Sequence, residues 1–465
     1  MIELVENLHH LAINGYILYS LVILGIYIYI ALRVDDEFIS PKKIWYHYKK
    51  KPKVSIILPA FNEEVCIVDS IKSAIQQDYK NKQIIIVSDG STDKTVEVVL
   101  RAFDLSCNFN ATKKLIEITK KSKLYTSPVI SVYTNKNIVL IDSKNGGKAS
   151  ALNLGILYSD AQWILNVDAD TVIVKNAIST TLQYLREDSD ACSCFVGVLN
   201  GNEVKDGVVT KHEVPKHFLA RLQWLEYIRS FILWRVAHDK RNATIVMPGA
   251  FTFMNRSVAL SVDGYKHGYL SEDMEITLSI VSKGKKIQFI PEFLAWTEVP
   301  DNYNSLTKQR MRWYRGALEC LIKYRTLLFN WWTDGKQSYN TYLSFFVLPF
   351  LWIAEVIGIW VELFGLIAGL SLILVGHPAW GMLLFSYVVI CFIYYFSVWL
   401  LLIFFKDRLK EGERYLKLWR VIPTLLYESI CHHYINLFWM IKSHSEYYLR
   451  IPKGWNKFER KGIRG

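Results

Sequence analysis

Asp168 and Asp170 stand two apart where the apolar run Trp163 to Val167 ends, and a second apolar run follows from Thr171. On an extended backbone, residues two apart point the same way. Two carboxylates at a strand end suit a hard divalent cation that keeps positions open for phosphate oxygens. A solvated turn is the competing reading of an isolated Asp-x-Asp. Gly146-Gly147-Lys148 opens a helical pattern; glycines let a backbone approach a ligand, and the lysine adds a cation near phosphate. The spacing is not that of a Walker loop, and a plain helix start is the alternative. Met247 to Phe251 forms a small-residue turn. Ser271-Glu272-Asp273 then begins another helical pattern, Met274 to Ser282. Its acids serve either as favourable first-turn charges or as a general base for a sugar hydroxyl. Gln309-Arg310-Met311-Arg312-Trp313 joins cations to an indole. An arginine fork suits a diphosphate and an indole face suits a sugar ring, whereas an interfacial helix with snorkelling arginines has the same composition.

Alternating strand and helix patterns supply the frame for these residues. Val54 to Pro59, Gln83 to Val87, Asn137 to Ile141 and Trp163 to Val167 read as buried strands. Helical stretches fall at Val65 to Gln76, Thr92 to Arg101 and Gly147 to Leu157, and residues 104–136 read as irregular. This order predicts an open α/β sheet with right-handed crossovers. Ligands of such sheets gather beyond the carboxyl ends of the strands. Polar clusters follow each strand there: Asn62-Glu63-Glu64, Asp89 to Asp93, Asp142 with Asn145 to Lys148, and Asp168 with Asp170. One acidic turn is ordinary capping; several on one edge ask for more.

The chain has 465 residues, 51% hydrophobic and 21% charged, with a formal net charge of +12. That mixture predicts a soluble domain joined to membrane segments. Nucleic acid is not expected as a partner, because basic runs such as Lys49-Lys50-Lys51 sit beside apolar stretches. The cysteines show no Cys-x-x-Cys, so neither a disulfide framework nor a zinc site is indicated. Residues 14–32 and 381–405 read as spans, and residues 342–376 are apolar apart from Glu355 and Glu362. Residues 421–441 are apolar but hold Glu428, His432 and His433, so they cross, re-enter or lie in the interface. Intramembrane carboxylates either line a polar passage or pair with a basic residue. The adjacent histidines point apart on a helix. The basic stretch 42–53 places the following domain in the cytoplasm. The basic tail also favours an internal C-terminus, which leaves the number of crossings open.

Taken in order, these motifs resemble the processive membrane synthases of glycosyltransferase family 2, closest to the bacterial poly-N-acetylglucosamine synthase type and also like hyaluronan, chitin and cellulose synthases. The likeness runs over about residues 52–320 and includes Pro59 to Glu64, Asp89 to Asp93, Asn145 to Asn153, Asp168 to Asp170, Gln223 to Tyr227, Glu272-Asp273, Thr297-Glu298 and Gln309 to Trp313. It departs at Ser271, where that type has threonine, and in the longer segment 102–136. The resemblance implies a GT-A (Rossmann-like) cytosolic domain plus an α-helical transmembrane region. It implies divisions at 1–51 (span and basic linker), 52–300 (catalytic), 301–340 (amphipathic interface), 341–450 (membrane or interfacial helices) and 451–465 (basic tail). Asp273 would be the catalytic base, and Asp170 would ligate Mg²⁺ or Mn²⁺. Asp89, Lys148, Asp168, Gln309 and Arg312 would hold a UDP-sugar. Trp313 and Glu272 would meet the acceptor, either a growing polysaccharide or a lipid, in a multi-pass membrane protein surrounded by lipids. An idle channel or receptor on the same fold is the expectation from a different class.

Overall fold

The computed structural model describes residues 51–210, 214–230, 241–330, 340–374 and 418–452, with separate positions between 7 and 29, at 235 and 237–239, and between 381 and 396. The spans expected at 14–32 and 381–405, the basic stretch before residue 51 and the tail after 452 lie wholly or mostly outside them.

A buried strand opens the domain. β1 (Val54–Ala60) has every residue shielded, as a strand covered on both faces requires. It is followed by helix α1 (Ile67–Ile75), β2 (Lys82–Asp89), α2 (Thr95–Phe103), β3 (Ser106–Cys107), α3 (Phe109–Lys121), β4 (Val129–Asn135), β5 (Ile138–Ser143), α4 (Lys148–Tyr158) and β6 (Trp163–Asn166). β2, β1 and β6 run parallel, as do β2 and β5. The second half holds β7 (Thr171–Ile173), α5 (Ala177–Tyr184), β8 (Ala191–Val198), a small hairpin of β9 (Val204–Lys205) and β10 (Val208–Val209), α6 (Phe218–Arg229), β11 (Thr252–Asn255), α7 (Arg256–Ser261), α8 (Glu272–Ser282), β12 (Ile287–Thr297) and α9 (Tyr303–Lys323). Among the described residues ten strands form one sheet in the order β3-β4-β5-β2-β1-β6-β11-β8-β12-β7.

One expectation is met and one is corrected. The four expected strands form a parallel set in an α/β sheet, and the sheet is mixed because β4, β11 and β7 join it antiparallel to their neighbours. Residues 104–136 are not irregular: they hold β3, α3 and β4. Only Leu115 of α3 is fully buried, and the stripe it makes with Ala111 and Ile118 is narrow and set among lysines and polar residues, a weak announcement of a helix. Asn108 caps it by accepting from the Ala111 N–H.

The link from β6 to β7 is only Val167-Asp168-Ala169-Asp170, yet β11, β8 and β12 lie between those strands in the sheet. A flat sheet would separate β6 from β7 by about 19 Å at about 4.8 Å per neighbour. The chain from Asn166 to Thr171 reaches about 17 Å when extended, and here it turns. The sheet therefore curls, and the register shifts of β12 against β8 near Phe293 mark the bend.

Beyond the domain, residues 343–374 form one helical run with π-turns at Leu343–Val347 and Trp352–Ile357. Among the described residues one helix, Leu343–Ser371, is long and apolar enough to cross a membrane, with mean hydropathy 2.0. Ile353, Ile357, Phe364, Ile367, Leu370 and Leu374 are exposed along it at spacings that make one stripe. A C-terminal helix follows, Leu418–Tyr427, then a π-turn Glu428–His432, then His433–Tyr448. Its carboxylate is paired: Glu428 bonds Arg229 of α6. Glu362 takes His433 at 2.6 Å, while His432 faces Glu226, so the adjacent histidines do point apart.

Candidate active site

Lys148, the first residue of α4, follows Gly147 at φ +86°. Its Nζ lies 2.7 Å from Asp168 Oδ1 and 3.1 Å from Glu272 Oε1. The lysine thus ties the end of β6 to the start of α8. Burial works to lower the ammonium, but Asp168 and Glu272 outweigh it and hold it above the usual lysine range. Gly249 backs onto this pair: a Cβ there would stand 2.7 Å from Lys148 Nζ and 3.0 Å from Asp168 Oδ2. The small-residue turn at 247–251 exists to admit those charges.

Asp273 is partly buried in the first turn of α8 and accepts from the Met274 N–H at 2.9 Å. Burial and the neighbouring Glu272 carboxylate push it up to about 6, against the pull of Lys148 and Arg312. Arg312 comes close because α9 packs tightly on this turn. A Cβ on Gly316 would meet Ser271 Oγ at 2.3 Å and the Ser271 nitrogen at 2.7 Å. A carboxylate near neutral pH, facing cations, suits a general base.

Asp89 ends β2, and its carboxylate accepts from the Gly146 N–H at 2.8 Å and the Gly147 N–H at 2.9 Å. Burial raises it to about 6, with those two donors opposing. The Gly146 and Gly147 amides are thus engaged by Asp89. Gly146 is required by packing, since a Cβ would overlap Ser127 Oγ. The clusters after β1 and β2 also hold one another: Asn62 Oδ1 accepts from the Thr92 N–H at 2.7 Å, and Thr95 Oγ1 from the Glu63 N–H at 2.7 Å.

Asp168 and Asp170 sit in a turn, not on extended backbone, so they take different partners. Asp170 is buried, and its Oδ1 accepts from Thr171 Oγ1 at 3.0 Å and Thr297 Oγ1 at 3.1 Å. Among the described residues no group of three or more His, Cys, Asp or Glu gathers as a metal cage. Two hard carboxylates close in sequence fit a cation that completes its shell with phosphate and water.

On α9, Gln309 is buried with no hydrogen-bond partner for its Oε1 among the described residues. Trp313 is half-buried; Arg310 lies over its ring, 4.6 Å from the centroid, and the Tyr227 ring is 6.5 Å away. The structure thus draws Lys148, Asp168, Glu272, Asp273 and Arg312 into one charged cluster, with Asp170 two residues along and Asp89 joined to Lys148 through the glycine turn. Sequence reading gave no role to Gly249, Gly316 or Arg235, and named Thr297 only within a motif. Arg235 is a lone cation in the apolar run Phe231 to Val236; burial lowers it to about 10, with Asp273 opposing. A charge inside such a run is the signal that would have found it.

Residues 163–405 match a family model described as Glycosyl transferase family group 2, and residues 55–118 match Glycosyl transferase family 2. The chain is similar to poly-beta-1,6-N-acetyl-D-glucosamine synthase of Staphylococcus aureus, 23% identical over 295 residues, 62% of this chain and 61% of that one. With the synthase of the same name from Staphylococcus epidermidis it is 24% identical over 310 residues, 67% of this chain and 63% of that one. The chain thus spans less than two thirds of the length of these relatives. Among solved structures, a mannosyltransferase from Pyrobaculum calidifontis in complex with GDP-Man and Mn²⁺ superposes with a TM-score of 0.61 at 14% identity, over 95% of this chain and 100% of that one. At that identity the likeness is one of fold.

Proposed function

This chain belongs to glycosyl transferase family group 2 and is a glycosyltransferase, and from that premise we propose that it elongates a β-linked polysaccharide from a UDP-sugar, UDP-GlcNAc or UDP-glucose, with inversion. The observation that carries the reading is Asp273, raised to about 6 at the head of α8 beside the Lys148–Asp168 pair and within electrostatic reach of Arg312. Asp273 takes the proton of the acceptor hydroxyl as that oxygen attacks the anomeric carbon. The bond to the diphosphate breaks on the opposite side, and UDP leaves. Lys148 and Arg312 offset the charge that gathers on the leaving group. Asp89 reads the uracil, Asp168 lies near the diphosphate and Gln309 positions the stretch of α9 that carries Arg312 and Trp313. Trp313 stacks the acceptor sugar, with Glu272 bordering it. Asp170, with Asp168 beside it, would hold Mg²⁺ or Mn²⁺, which neutralises diphosphate charge when bound; the Mn²⁺ in the Pyrobaculum calidifontis complex supports a divalent ion.

The reading includes a membrane seat with the catalytic domain in the cytoplasm, several crossings and the product passing outward; the apolar stripe on residues 343–374 supports the membrane seat. The test is to incubate purified protein with Mg²⁺ or Mn²⁺ and a panel of UDP-sugars, measure UDP release and size the product. Long polymer is expected. Single additions in an organic-extractable product would replace this reading with transfer to a lipid.

A further inference from the structure

Arg310 is 6% exposed, and a cation at that depth needs a partner. It finds Glu226 of α6 in a direct ion pair, while its guanidinium covers one face of Trp313. Glu226 also meets a third element. Its Oε1 lies 3.4 Å from Nε2 of His432, a fully buried residue that ends the π-turn of the C-terminal helix. Arg229, one turn beyond Glu226 on α6, bonds Glu428 at the start of that same π-turn. Tyr314, next to Trp313, donates to Asn436 at 3.0 Å. Burial alone would raise the Glu226 carboxyl, but Arg310, His432 and Arg229 hold it down to about 2. π-turns inside helices are frequent at functional positions, and this one turns His432 inward while His433 faces Glu362.

With one indole face occupied by Arg310, a sugar ring stacks only on the other. The indole cannot tilt without losing Arg310, and Arg310 cannot move without breaking its ion pair with Glu226. We propose that Glu226, Arg310 and His432 are positioning residues that set the pose of Trp313, so that the seat of the C-terminal helix tunes affinity for the acceptor. This rests on the reading of Trp313 as the acceptor platform.

The experiment uses the full chain in detergent, with a short β-linked N-acetylglucosamine or glucose oligosaccharide as acceptor, matched to the UDP-sugar that turns over. Glu226→Gln, Arg310→Met and His432→Gln are expected to raise the acceptor KM about tenfold while leaving the donor KM within about twofold. Arg310→Lys keeps the ion pair but not the planar stack and is expected to fall between. In a Trp313→Ala background, Arg310→Met is expected to add less than about twofold. Thermal melts identify variants that do not fold. Should Glu226→Gln or Arg310→Met be among them, Arg310→Lys and His432→Gln carry the same comparison. The proposal is overturned if donor and acceptor KM rise together, if acceptor KM is unchanged in the folded variants, or if the Arg310 effect is as large without Trp313. Absence of UDP release by the unaltered protein from every UDP-sugar would instead remove the proposed function.

Discussion

Lys148 and Glu272 pull the proton affinity of Asp273 in opposite directions, and this gives the site a signed pH signature. The acidic limb of the rate profile is expected near pH 6, because a base must be ionised to work. Glu272→Gln removes a charge that raises Asp273, so the limb moves to lower pH. Lys148→Met removes a charge that lowers it, so the limb moves up. A pH–rate profile of each variant checks both signs, and shifts in the same direction would contradict the arrangement. Asp273→Asn is expected to reduce turnover by about 10²–10⁴-fold with UDP affinity little changed, measured by UDP release and calorimetry. The same change has a stability sign. The folded value near 6 lies above the ordinary 3.8, so ionising Asp273 costs folding free energy as pH rises from about 4 through 6. The asparagine variant is therefore expected to melt higher than the parent at pH 7.5, and the gap should close near pH 4. Such a trade of stability for a working group is common at active sites.

At the level of elements, close backbone approach decides the site. α9 reaches Ser271 only because residue 316 has no side chain. Gly316→Ala is expected to destabilise by about 1–3 kcal/mol through overpacking and to lower turnover more than the melting point suggests, since it pushes Arg312 away from Asp273. Gly249→Ala is expected to leave the fold nearly intact and to cut activity by separating Lys148 from Asp168. Assays beside thermal melts distinguish the two. These contacts explain what the sequence does and does not disclose. β1, β2, β5 and β6 were legible because each is an apolar run buried on both faces, and the acids at their ends follow from that register. α3 was hidden by its polar surface. The Asp168–Asp170 geometry was misread because the strand ends at Asn166, before the first of them. Gly249 and Gly316 act through partners far along the chain, which local pattern cannot show, and Glu226 gives no hint in its own neighbourhood that Arg310 and His432 will meet it.

For the whole molecule, the exposed stripe from Ile353 to Leu374 and the ion pairs that clamp the C-terminal helix to α6 tie the catalytic domain to an apolar platform. The protein is expected to stay with membranes through high-salt and alkaline washes and to need detergent for release, as fractionation would read. Release by salt alone would count against a spanning seat. The sheet carries a last consequence. Because β6 and β7 are joined by the very residues Val167-Asp168-Ala169-Asp170, the bend of the sheet and the spacing of its two acids are one mechanical variable. One residue inserted into that strap would slacken the arch and displace Asp170 at once, whereas the same insertion in the exposed turn of Lys136 and Asn137, between β4 and β5, lies far along the sheet from both. Length, more than composition, is the property this segment has least freedom to change.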